Sequence, residues 1–197
     1  MDSKQEILGA IRRHQVTPTP LPELDGPWIS YPNQTQQFSE LVQSVGGRCV
    51  LVPDIAAADA DLRQLEPYAT ARRVFSNVAG LGTNNVDLDS VADPHELEDL
   101  DVAILPGAFG VAENGAIWVT DRGLKHRVVY FITQHLVLVV PRDQIVDNMH
   151  QGYERLSFPD AGFGLFISGP SKTADIEQSL VVGAHGPRSL TVYVVGP

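Results

Sequence analysis

The 197-residue sequence predicts an α/β fold, a mainly parallel sheet with helices on both faces. Three observations predict it. Short uninterrupted apolar runs, such as Cys49-Val50-Leu51-Val52 and residues 102–105, mark strands buried on both faces. Between the runs lie segments whose apolar residues recur three and four apart, the spacing of amphipathic helices. Strand and helix alternate in short units, which demands crossover connections and hence parallel strands.

Residues 3–14 read as a helix with Ile7, Leu8 and Ile11 on one face, and Ser3 and Glu6 stand at capping-box spacing. Residues 18–32 carry five prolines and read as an extended strap over the surface. The expected division is therefore 1–33, an N-terminal helix and strap, and 34–197, the α/β domain. The terminal helix is expected to pack on that domain or on a second copy, which would make a homo-oligomer. Residues 36–45 are helical by the spacing of Phe38, Leu41, Val42 and Val45, and Gly46-Gly47 ends them. Strands are expected at 49–52, 73–75, 101–105, 116–120 and 135–140, with a helix over 56–68. So little helix separates 102–105, 116–119 and 136–140 that an antiparallel pair is expected there. Ile145, Val146, Met149, Tyr153 and Leu156 predict a helix over 142–156. A strand over 164–168, a helix over 173–182 and a last strand over 189–195 complete the chain.

Lysine and arginine number 14 against 24 acids, a net charge of −10, and no basic run occurs, which excludes a nucleic-acid binder. No apolar stretch approaches the roughly 20 residues of a membrane span, and no secretory signal is visible, so a cytoplasmic protein is expected. The single cysteine, Cys49, makes no intrachain disulfide and holds no iron–sulfur cluster alone. The histidines His126, His135, His150 and His185 fit no metal-ligand spacing, and no metal is expected.

Three segments hold residues suited to chemistry. Ser168, Gly169, Pro170, Ser171, Lys172, Thr173 and Asp175 follow an apolar strand and open the expected helix. Ser171 or Thr173 would cap it, and free amides, hydroxyls and the Lys172 charge would converge on a small anion. Glu113, Asn114 and Gly115 follow a glycine-containing loop. A glutamate on a tight turn beside a buried sheet would suit an acid, base or nucleophile, although Asn-Gly is the strongest short signal of a hairpin turn. His185 and Gly186 lie in a rigid loop between Gly183 and Pro187. The first two segments are expected to face a shared cleft.

The run from Ser168 through Glu177, followed by Val182-Gly183-Ala184-His185-Gly186-Pro187, resembles the C-terminal signature of the LUD domain, the family of the lactate-utilization C-type proteins. Residues 4–12, 38–52 and Glu113-Asn114-Gly115 also look like the family's layout. The resemblance implies a fold similar to the sugar-phosphate isomerase and CoA-transferase-like group. It implies a cytoplasmic bacterial protein that supports oxidation of L-lactate to pyruvate with iron–sulfur partner proteins, and no cofactor of its own. It supplies no catalytic residue. Glu113-Asn114-Gly115 also looks like the nucleophile motif of class I CoA-transferases, which leaves an acyl- or CoA-transfer enzyme with Glu113 as nucleophile as the alternative. A non-catalytic ligand-binding module is the third reading.

Overall fold

The computed structural model describes residues 3–14, 19–20, 22–156, 162–174 and 180–197. Helix α1 (Ser3–Arg13) buries none of its residues, and its apolar face, Ile7, Leu8 and Ile11, is exposed. The described part of the strap forms neither helix nor strand. Its end is nonetheless fastened. Trp28 stacks on His150 with ring centroids 3.5 Å apart, Asn148 Nδ2 donates to Ile29 O, and Tyr31 N donates to Asp147 Oδ1.

The domain proper runs α2 (Gln34–Ser44), β1 (Arg48–Val52), α3 (Ile55–Leu62), α4 (Glu66–Ala69), β2 (Val74–Ser76), a 3-10 turn at Pro94–Leu97, then β3 (Val102–Pro106). It continues β4 (Phe109–Val111), β5 (Ala116–Thr120), α5 (Val129–Ile132), β6 (His135–Pro141), a 3-10 turn at Arg142–Gln144, β7 (Ile145–Val146) and α6 (Met149–Glu154). It ends β8 (Gly164–Ile167), β9 (Lys172–Ala174), β10 (Leu180–Val182) and β11 (Ser189–Val195).

Five strands form one parallel sheet in the order β1-β11-β6-β3-β2. Side chains alternate along each strand, so the sheet feeds two cores. Leu136, Leu138 and Val140 of β6 pack with Phe38 and Val42 of α2 and with Val129 and Tyr130 of α5. Val137 and Val139 pack on the opposite face with Ala58 and Leu62 of α3. The connection from β1 to β2 crosses on the α3 side. Every later step, β2 to β3 to β6 to β11, walks back the other way and is covered on the α2 side. Reversing direction and face together is what right-handed crossovers require.

On the α2 side lies a second sheet, β7-β4-β5-β8, with β5 antiparallel to both β4 and β8. Its inner residues, Ile117, Val119 and Ile145, join the main core, and its outer face gathers Phe109, Trp118 and Phe166 beneath α6. The expected antiparallel pairing therefore involves β5 and its neighbours in this sheet, whereas β3 and β6 are parallel neighbours.

Three expectations are corrected. Residues 142–156 are not one helix, because Asp147 and Asn148 are buried at its middle, where Asn148 caps the short α6 that follows and Asp147 binds the strap at Tyr31. The glycine-containing loop expected before Glu113 runs into β4 (Phe109–Val111), whose glycine lets Phe38 and Ile145 close over it. Residues 173–182 begin and end as strands, β9 and β10, paired antiparallel with Thr173 opposite Val181. The β-branched Thr173, Val181 and Val182 favour this pleated pairing over a helix. Among the described residues no helix is long and apolar enough to cross a membrane.

One polar network ties α3 to the parallel sheet. Arg48 grips Asp61 through two bonds of 2.7 and 2.8 Å, and the fully buried Tyr193 donates its hydroxyl to the same carboxylate at 2.7 Å. The Arg48 hydrogen bonds first, then that of Tyr193, hold the Asp61 carboxyl below the ordinary carboxylate range. Asp61→Ala orphans a buried hydroxyl and should lower unfolding free energy by about 1–3 kcal/mol in urea titration. A depressed carboxylate binds its proton more readily when unfolded. Its contribution is therefore complete above about pH 4 and lost as pH falls through the lower folded value. Asp61→Asn should flatten that acid limb.

Candidate functional site

The segments singled out from sequence meet, but not as a helix N-terminus at a parallel strand. Strand β8, which precedes them, belongs to the second sheet, where it pairs antiparallel with β5. The described part of the 168–175 segment is thus a strand-to-strand turn. Ser171 is held on both sides, its N–H donating to Pro187 O and its carbonyl accepting from Gly183 N, each at 2.9 Å. Thr173 sits in β9 and caps nothing. Asp175 lies outside the described residues.

Ser168, Gly169, Pro170, Ser171, His185 and Gly186 line one cavity of about 230 Å³. Its apolar wall is Phe131, Leu136 and Leu190, so it opens at the amino ends of β6 and β11. No carboxylate lines it among the described residues. The volume is below the roughly 300–1,000 Å³ of drug-sized sites and suits a small metabolite. His185 is exposed, and it shares the lining with Ser168 and Ser171, so polar groups and an apolar wall face the same space.

Of Glu113, Asn114 and Gly115, which do not line the cavity, Asn114 touches this turn. Ser168 Oγ donates to Asn114 O at 2.9 Å. Asn114 Oδ1 accepts from Ala116 N at 3.0 Å, the self-bonding of an Asx turn. Glu113 is exposed, its N–H donates to Asp147 O, and its Oε2 accepts from Met149 N at 2.9 Å. Its carboxylate thus satisfies an amide at the start of α6. Lys172 is also turned away from the cavity, its ammonium donating to Val45 O at the end of α2. That places a cation at the negative end of an 11-residue helix, where it is favoured.

Other candidates resolve into structure. His135 Nδ1 pairs with Ser189 Oγ at 2.8 Å, and burial lowers its pKa below the ordinary imidazole value. Cys49 is partly buried in β1, and burial pushes its thiol pKa up. Among the described residues no group of three or more His, Cys, Asp or Glu is placed to hold a metal. A larger opening of about 510 Å³ lies at the carboxyl end of β2. Two of its residues serve that edge strand: Asn85 Oδ1 accepts from Val74 N, and Asn84 Oδ1 from Ser76 N. Phe131, on the short α5, was invisible as a wall residue in the sequence. Its 40% exposure in an apolar helix is the one signal that sets it apart from the core.

Known proteins share this sequence and architecture. The LUD domain family model matches residues 69–195, more than half of the chain. A "Lactate utilization protein C" from Geobacillus thermodenitrificans is 30% identical over 171 residues, 80% of this chain and 67% of that protein. The protein of the same name from Geobacillus kaustophilus is 31% identical over 165 residues, 78% of this chain and 65% of that protein. The chain thus spans about two thirds of the length of these relatives. The crystal structure of a DUF162 family protein from Deinococcus radiodurans superposes with a TM-score of 0.63, covering 85% of this chain and 99% of that one. Its sequence identity is 24%, so this likeness is one of fold. Family model, relatives and architecture agree: the chain belongs to the LUD domain family.

Proposed function

We propose that this LUD domain protein acts in lactate utilization, as a non-redox subunit beside iron–sulfur proteins that carry the electrons from L-lactate. Its own part is to hold a small anionic ligand, a hydroxy acid, in the cavity of Ser168, Ser171 and His185. The observation that carries the reading is the convergence of two loops, 168–171 and 185–187, on one small cavity with no acid among its described lining residues. Serine hydroxyls and His185 suit a carboxylate and a hydroxyl, and Phe131 and Leu136 suit a methyl group. Support for the pathway comes from the names of the relatives.

Two measurements test it. Deletion of the gene should abolish growth on L-lactate while leaving growth on glucose unchanged. L-lactate should raise the melting temperature of the purified protein, with a stabilisation of about 2.7 kcal/mol at 100 times its dissociation constant. Ser171→Ala combined with His185→Ala should weaken that binding about tenfold or more. Normal growth of the deletion strain, with no shift at saturating lactate, would sink the proposal.

A further inference from the structure

A second cavity, of about 280 Å³, opens at the carboxyl end of β3, where parallel strands leave ligand-binding crevices. None of the predicted site residues lines it. Pro106, Gly107 and Thr120 form its rim, Phe109 and Trp118 its floor, and Arg122 and Arg155 are the charged residues among its described lining. Two arginines lining one opening stand out in a chain of net charge −10. Arg155 is held in place by neutral groups. Its guanidinium lies 5.9 Å from the centroid of the Phe109 ring, and Nη1 donates to Gln144 Oε1 at 3.3 Å. It forms no ion pair among the described residues. A guanidinium above a ring keeps its in-plane N–H groups directed outward, the fork that grips a carboxylate or phosphate through two bonds.

The geometry points to a binding site here for a small organic anion: a carboxylate or phosphate group on a flat apolar body, the charge on Arg155 and Arg122 and the body against Phe109 and Trp118. This site is independent of the one lined by Ser168 and His185.

Trp118 is its reporter. The chain has two tryptophans, so Trp28→Phe leaves Trp118 as the sole emitter. In that background benzoate should quench emission saturably, and the neutral benzamide should not. Phenyl phosphate separates the two anion types: tighter binding than benzoate assigns the site to phosphates, weaker binding to carboxylates. Arg155→Gln should weaken benzoate about tenfold or more, and Arg12→Gln, the same loss of charge on the remote α1, should leave it unchanged. Circular dichroism of the Arg155→Gln protein checks that it is folded. Equal quenching by benzamide, no quenching by either anion, or an Arg155→Gln protein that binds benzoate as the parent does would each overturn the inference.

Discussion

Gly115→Ala is expected to cost about 2–4 kcal/mol of unfolding free energy, a large share of the 5–15 kcal/mol typical of a domain. The residue turns β4 into β5 at φ +66°, and a Cβ there would stand 2.9 Å from Val42 N and 3.0 Å from Leu41 C. These are backbone atoms of α2, which cannot rotate away as a side chain would. The left-handed backbone alone costs about 1 kcal/mol for alanine. The remainder is overlap, relieved only by lifting the turn from the helix. Gly123 separates the two costs, because its φ is +71° and nothing lies within 4 Å of its missing Cβ. Gly123→Ala should therefore lose only the backbone part, about 1 kcal/mol. Urea titration of both proteins decides it. Equal losses would mean that the turn is not seated on α2.

The expected strain at Gly115 also shows what the sequence conveyed and what it hid. The parallel sheet was legible because its strands are continuous apolar runs: residues 102–105 and 136–140 are buried on both faces, as such runs imply. Residues 48–52 are the exception, since β1 is an edge strand and leaves Leu51 exposed. The second sheet was nearly invisible. Strand β4 is three residues long with a central glycine, and β7 is two residues long, too short for any period to register. Helical spacing at Ile145, Val146 and Met149 misled because two structural faces happen to fall three and four residues apart. Ile145 faces the main core, and Val146 and Met149 face the aromatic cluster under α6.

The candidate site was half legible for a related reason. Ser168, Ser171 and His185 were recognisable as small polar groups and a histidine among glycines and prolines, and they line one cavity. Lys172 and Glu113 were chosen for their charge, yet charge alone does not say which backbone group it answers. Lys172 answers the end of α2 and Glu113 the start of α6. Both partners lie far away in sequence, Val45 for Lys172 and Met149 for Glu113. Arg122 and Arg155 drew no attention, because nothing in the sequence places them beside Phe109 and Trp118.

Gly186→Val should abolish growth on L-lactate while leaving a folded protein. Gly186 lies outside the left-handed region, so an L-residue there carries no left-handed strain. A Cβ there meets Ser171 Cβ at 3.0 Å and Oγ at 3.1 Å, across the cavity mouth. Valine adds two further carbons in the space the ligand would take. The overlap involves a small, half-buried side chain, and the fold should lose about 1–3 kcal/mol. If occlusion is the cause, making room should reverse it. Ser171→Gly removes the opposing atoms, so the double variant should regain stability and part of its lactate binding. Instability alone predicts a different pattern: growth would follow the melting temperature across all three proteins, and lowering the temperature would rescue Gly186→Val. Undiminished lactate affinity in Gly186→Val, measured by calorimetry, would place the ligand elsewhere. The arginine-lined opening at the end of β3 would then be the place to look for it.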